Sequence, residues 1–124
     1  MWAFIKSELH RLKNTCIWSW EGWWAAWETE KSLRQWSLAN VISASLTFVF
    51  PLSVTQQALI IGLGMLVLAA ELINSAIEEV VDMVSPERHP KAKRAKDMGS
   101  GAVAVTALAA GVAWVIVLVG VYSG

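Results

Sequence analysis

Charge is scarce in this sequence, and its absence is confined to particular stretches. Residues 35–70 and 98–124 contain no Asp, Glu, Lys or Arg, and charged residues make up only 16% of the chain, against about 25% in globular domains. The formal net charge is zero, which argues against nucleic-acid binding. Cysteine occurs once, at Cys16, so neither a disulfide framework nor a Cys-based metal site is available. No Walker A loop, glycine-rich kinase loop, HExxH or GxSxG occurs, so a phosphotransferase here would not be of a soluble type. No internal repeat or low-complexity segment is found. An apolar segment leading to a small-residue cleavage site is missing near the N-terminus, so a cleaved signal peptide is not expected.

Hydrophobic residues make up 56% of the 124 positions. That composition predicts an all-α membrane protein of one domain, residues 1–124, with a surface helix and three spans. The spans are expected at about 33–51, 56–84 and 94–122, and the surface helix at about 5–30. Pro51 stops the first span, and 53–57 forms a short polar turn. Ser85, Pro86 and Pro90 are expected to break the second, which is longer than the hydrocarbon core.

Basic residues set the orientation. None lies in 51–57, whereas Arg88, Lys91, Lys93, Arg94 and Lys96 crowd the next connection and the other five precede residue 35. The positive-inside rule then places the N-terminus and the 88–96 connection in the cytoplasm, with the C-terminus outside. Seven of the eight tryptophans, Trp2, Trp18, Trp20, Trp23, Trp24, Trp27 and Trp36, lie in the first 36 residues among charged side chains. Indole rings favour the headgroup region, so this segment reads as an amphipathic helix on the membrane surface.

The strongest sign of chemistry is an acidic ladder that follows the uncharged run 58–70. At about 100° per residue, Glu71, Asn74, Ser75, Glu78 and Asp82 share one side of a helix. One acidic residue at the centre of a span costs roughly 2.5–3.5 kcal/mol on translocon scales, so a chain that accepts several is expected to use them. Glu71 lies deepest and suits a general base; Glu78 and Asp82, nearer the cytoplasm, suit a hydrated Mg²⁺. The bland alternative is polar glue between helices.

A second constellation is the basic run from Lys91 to Lys96 with Asp97, Gly99 and Ser100. Bases here would face the carboxylates of the preceding helix across a tight turn, an arrangement suited to Mg²⁺ and polyphosphate. Gly99 and Gly101 would admit a close backbone or phosphate. His89 sits in the turn beside Glu87 and Arg88. Ser100, Ala104, Ala107 and Gly111 have the spacing of a close helix-packing seam, or simply reflect a membrane helix rich in Ala and Gly.

Glu71-Leu-Ile-Asn74-Ser75-Ala76-Ile77-Glu78-Glu79-Val80-Val81-Asp82, followed by Arg94-Ala95-Lys96-Asp97-Met98-Gly99-Ser100, resembles the prokaryotic diacylglycerol kinase family. Ser19-Trp20, Ala25-Ala26-Trp27 and Arg34-Gln35 extend the likeness from Trp18 to near the C-terminus. The resemblance implies a homotrimeric lipid kinase of the bacterial inner membrane that uses ATP with Mg²⁺ and phosphorylates 1,2-diacylglycerol. Carried over by position, it implies Glu71 as the catalytic base and Glu30 and Glu78 as metal-binding carboxylates. It implies ATP contacts at Arg11, Trp18, Glu30, Glu78, Glu87, Arg88, His89, Lys96 and Asp97. Lipid contacts are implied at Arg11, Ser19, Trp20, Ala25, Ala26, Gln35, Glu71, Ser100 and Trp114, with Asn74 and Asp82 in support. Position 36 is Trp where many members have an acid. An undecaprenol kinase is the alternative within the family, and a small ion-coupled transporter subunit the alternative from another class.

Overall fold

The computed structural model describes all 124 residues as four helices and no strands: α1 (Trp2–Thr29), α2 (Lys31–Val49), α3 (Val54–Val84) and α4 (Pro90–Ser123). Two of them, α3 and α4, are long and apolar enough to cross a membrane. At 1.5 Å per residue they measure about 46 and 51 Å, more than the roughly 30 Å of hydrocarbon, so their charged ends can emerge from it. The same rise gives α2 about 28 Å. It is less apolar because Ser37, Asn40, Ser43, Ser45 and Thr47 interrupt it.

Local chemistry explains the boundaries. Ser53 caps α3 in a reciprocal box with Gln56: the Gln56 N–H donates to Ser53 Oγ, and the Ser53 N–H donates to Gln56 Oε1. At the start of α4 the Lys91 N–H donates to Nδ1 of the N-cap His89 at 3.1 Å. Pro90 does not act as a breaker there. It occupies the first turn of α4, where a missing N–H costs nothing and the fixed φ suits a helix. The third long helix therefore begins four residues before the expected position 94, and Lys91, Lys93 and Arg94 lie on it.

The helices α3 and α4 form the main pair, with α2 packed on α3. The buried face of α3 runs Ile60, Gly64, Val67, Glu71, Ser75, a helical stripe in which the last two members are polar. The buried residues of α4 are Gly99, Val103, Ala113 and Val117. The small-residue stripe is not the one that meets α3: Ser100, Ala104 and Gly111 are exposed in the single chain, about 100° round the helix from it.

The helix α1 buries no residue and makes no contact with α4. Its tryptophans stack on one another instead, Trp20 on Trp24 with centroids 6.1 Å apart and Trp23 on Trp27 at 6.3 Å. The chain turns at Glu30, whose backbone is extended between α1 and α2. Two contacts brace that corner. Leu33 is fully buried, and the Arg34 guanidinium donates to the carbonyls of Trp27 at 2.5 Å and Glu28 at 3.3 Å.

Candidate active site

The acidic ladder of α3 divides between two seams. Glu71 and Ser75 turn toward α1 and α2, and Glu71 is only 4% exposed. The hydroxyl of Ser32, in the first turn of α2, donates to Glu71 Oε2 at 3.1 Å. Ser75 donates to the Glu71 carbonyl at 2.9 Å, returning its polar group to the helix backbone. Asn74 and Asp82 turn toward α4. A β-carbon at Gly99 would stand 3.3 Å from Asn74 Cγ and closer still to Oδ1, so the glycine makes room for the asparagine. Gly99 thus admits both the Asn74 side chain and the α3 backbone, whose Cα at Asn74 would lie 3.6 Å from that β-carbon, while Gly101 faces open space. The Asn74 Nδ2 donates to Glu78 Oε1 at 3.4 Å, and its buried Oδ1 has no partner.

Two clefts flank this ladder. The first, about 580 Å³, lies where α1 passes α3 and is lined by Ser19, Gly22, Trp23, Ala25, Ala26, Thr29, Glu30, Leu72, Ser75, Ala76 and Glu79. It gathers three of the expected lipid contacts, Ser19, Ala25 and Ala26, beside Glu30. The second, about 700 Å³, surrounds the α3–α4 turn, with Asp82, Glu87, Arg88, His89, Lys93 and Lys96 on its walls. Across it, Lys96 Nζ meets Asp82 Oδ1 at 2.5 Å, an ion pair between the two helices. Asp97 is paired with Lys93 on its own helix. Glu78 lies on α3 between Ser75 of the first cleft and Asp82 of the second, and it accepts from Asn74.

Partial burial holds the Glu30 carboxyl above its ordinary range. The carboxylates of Glu78, Glu79 and Glu71 raise it further, and Arg34 opposes them. Four acids within electrostatic reach of one corner form a surplus of negative charge. Carboxylate oxygens are the donors that Mg²⁺ takes, and that ion commonly uses one or two of them together with water and substrate phosphate. No three acidic or histidine side chains of the single chain converge on one point. Glu30 and Glu78 therefore suit an ion that is also held by phosphate.

Other expected site residues lie apart. Arg11 pairs with Glu8 at 2.8 Å on the exposed part of α1. Trp18, Trp20, Gln35 and Ser100 are exposed. Trp114 sits about 21 Å along α4 from Ser100, donates its indole N–H to Ser43 Oγ at 2.8 Å and lies edge-on to Phe50 at 6.0 Å. Within one chain, α1's absence of contact with α4 separates Arg11 and Trp18 from Glu87, Arg88, His89 and Lys96. Two residues join the site that the sequence reading passed over, Ser32 and Glu79. The first had no charge to mark it. The second stands about 40° beyond Ser75 at the edge of the ladder, and it becomes relevant because Glu30 comes to it from another helix.

The profile of the prokaryotic diacylglycerol kinase family matches residues 17–118. The chain belongs to that family. A diacylglycerol kinase of Pseudomonas aeruginosa is 43% identical over 112 residues, covering 90% of this chain and 91% of the relative. One from Escherichia coli strain K12 is 39% identical over 87% of this chain and 88% of its own length. An undecaprenol kinase of Bacillus subtilis is 32% identical over 83% of this chain and 84% of its own. The matched region of the prokaryotic diacylglycerol kinase family takes in the α1–α2 corner, all of α3 and the α3–α4 turn, so both clefts lie within it.

Proposed function

We propose that this chain is an ATP-dependent diacylglycerol kinase that transfers the γ-phosphate to the free hydroxyl of 1,2-diacylglycerol, giving phosphatidic acid and ADP. One observation carries the reading: a buried carboxylate, Glu71, stands in a long apolar helix one seam away from a cleft whose walls carry Arg88, His89, Lys93 and Lys96. Glu71 takes the proton of the lipid hydroxyl, the freed oxygen forms the bond to the γ-phosphorus, and the bond from phosphorus to the bridging oxygen of ADP breaks. The first cleft holds the lipid headgroup beside Ser19, Ala25 and Ala26, and the second holds nucleotide between Glu87, Arg88, His89 and Lys96. Mg²⁺ on Glu30 and Glu78 would neutralise phosphate charge when bound. Lys96, kept in place by Asp82, adds a fixed positive charge from the protein itself.

The working protein is a homotrimer in the bacterial inner membrane, with α2 as the first of three spans and the N-terminus in the cytoplasm. The polar side chains of α2 support its insertion. Ser45 and Thr47 donate to Val41 and Ala44 carbonyls at 2.7 Å, and Asn40 donates to the Trp36 carbonyl at 2.9 Å, so these groups do not require water. The separation of Arg11 and Trp18 from the nucleotide cleft, and the exposed small-residue stripe of α4, both call for neighbouring subunits.

The test is phosphorylation of a panel of lipid alcohols by the purified protein in mixed micelles with radiolabelled ATP. 1,2-Diacylglycerol should be the fastest acceptor, and Glu71→Gln should lower turnover by about 10²–10⁴-fold while nucleotide still binds. Faster labelling of undecaprenol would move the chain to that branch of the family. Near-normal turnover of Glu71→Gln would refute the base and leave polar glue.

A further inference from the structure

The α1–α2 corner carries a hydroxyl whose placement is more constrained than packing requires. Ser32 is the second residue of α2. Its neighbour Leu33 is fully buried, and Arg34 ties the same turn back to the end of α1. From this fixed turn Ser32 Oγ donates to Glu71 Oε2 across the seam, the one side-chain hydrogen bond that the Glu71 carboxylate makes. A carboxylate held by a single helix would otherwise turn freely about its terminal torsion, which is broad and roughly two-fold.

We infer that Ser32 is a positioning residue for Glu71: its hydroxyl occupies Oε2 and leaves Oε1 as the oxygen presented to the substrate alcohol. This rests on the reading of Glu71 as the base. The hydrogen bond fixes the plane of the carboxyl group, so the accepting lone pair meets the lipid hydroxyl without a search over orientations. Because Ser32 acts through Glu71, its loss should fall on turnover and spare binding.

The experiment compares Ser32→Ala, Ser32→Thr and Ser32→Val in the full-length protein, with 1,2-diacylglycerol and MgATP in mixed micelles. Ser32→Ala should lose about tenfold in kcat, with KM for both substrates within about twofold of the unsubstituted protein. Thr and Val share a shape but only Thr keeps the hydroxyl, so Ser32→Thr should exceed Ser32→Val by about tenfold in kcat. Thermal unfolding midpoints of the Thr and Val variants should agree, since both keep the corner packed. Unchanged kcat in Ser32→Ala overturns the inference, as does equal kcat in the Thr and Val variants, or a loss confined to KM for the lipid. Glu71→Gln run in the same assay separates the two readings. An active Glu71→Gln removes the base itself, whereas an inactive one beside indifferent Ser32 variants removes only the role of Ser32.

Discussion

Two asparagines in this chain stand against a glycine of the next helix, and they do different work. In the apolar half, Asn40 of α2 faces Gly64 of α3, where a β-carbon would come within 3.2 Å of Asn40 Cγ. Its amide nitrogen is satisfied by its own helix at the Trp36 carbonyl. In the acidic half, Asn74 of α3 faces Gly99 of α4, but its nitrogen reaches forward to Glu78 and its Oδ1 is left without a partner. The same residue pair is a closed packing device in one place and an open, under-satisfied link to the charged groups in the other. A buried polar atom without a partner is uncommon, and here it lies beside the proposed metal carboxylate.

The largest expected effect tests the open pair. Gly99→Ala should push Asn74 off Glu78 and lower kcat by about 10–100-fold, since small displacements near reacting groups carry costs of that order. Asn74 Cα, at 3.6 Å from the new β-carbon, leaves the backbone little room to yield. A Gly99→Ala protein of full activity would make the two pairs equivalent and erase the contrast.

A smaller effect, on stability, is expected at the closed pair. Gly64→Ala should destabilise the assembled protein by about 1–3 kcal/mol through overpacking. Adding Asn40→Ala should recover much of that loss, because the residues share one space and their effects cannot be additive. Denaturation in mixed micelles would read both, and kcat of the folded fraction should stay within about twofold. Additive losses would mean that the two side chains do not meet.

The smallest effect is a pH dependence at the α1–α2 corner. Glu30 titrates above its ordinary range in the folded protein, chiefly from partial burial and then from Glu78, Glu79 and Glu71. A group raised in the folded state binds its proton more tightly there than in the unfolded chain. In metal-free protein its contribution to stability is therefore fully present below the unfolded value and is lost as pH rises through the folded one. Glu30→Gln should flatten the unfolding midpoint against pH across that window. Mg²⁺ must displace the same proton, so its apparent affinity should weaken on acidification from a higher pH than an ordinary carboxylate would give. Midpoints that fall on acidification in this window, with Glu30→Gln showing the same slope, would rule Glu30 out as the source.

Much of the site was legible because its signals are local. Carboxylates in an uncharged run, a basic connection after a break, and two motifs with their spacing need no tertiary structure to be noticed. The Lys96–Asp82 pair meets the expectation that bases and carboxylates would face each other across the turn. Three features were not legible. Pro90 reads as a breaker or as a first-turn residue with equal ease, and only the cap at His89 decides. Ser32 is one serine among eleven until α2 is laid on α3. The small-residue stripe of α4 and its buried stripe differ by about 100° of azimuth, a rotation that one residue of register produces.

The sequence by itself determined that the chain is helical and apolar, that its charges are confined to residues 6–34 and 71–97, and that it carries the motifs of its family. Those properties follow from composition and from spacing along one helix. Only the tertiary structure decided which seam each member of the ladder faces: Glu71 toward Ser32, Asn74 toward Gly99, Asp82 toward Lys96. The reason is geometric. A periodic pattern defines a face, but the direction that face points is set by side chains on other helices, and here a glycine, a serine and a lysine from two different helices set it.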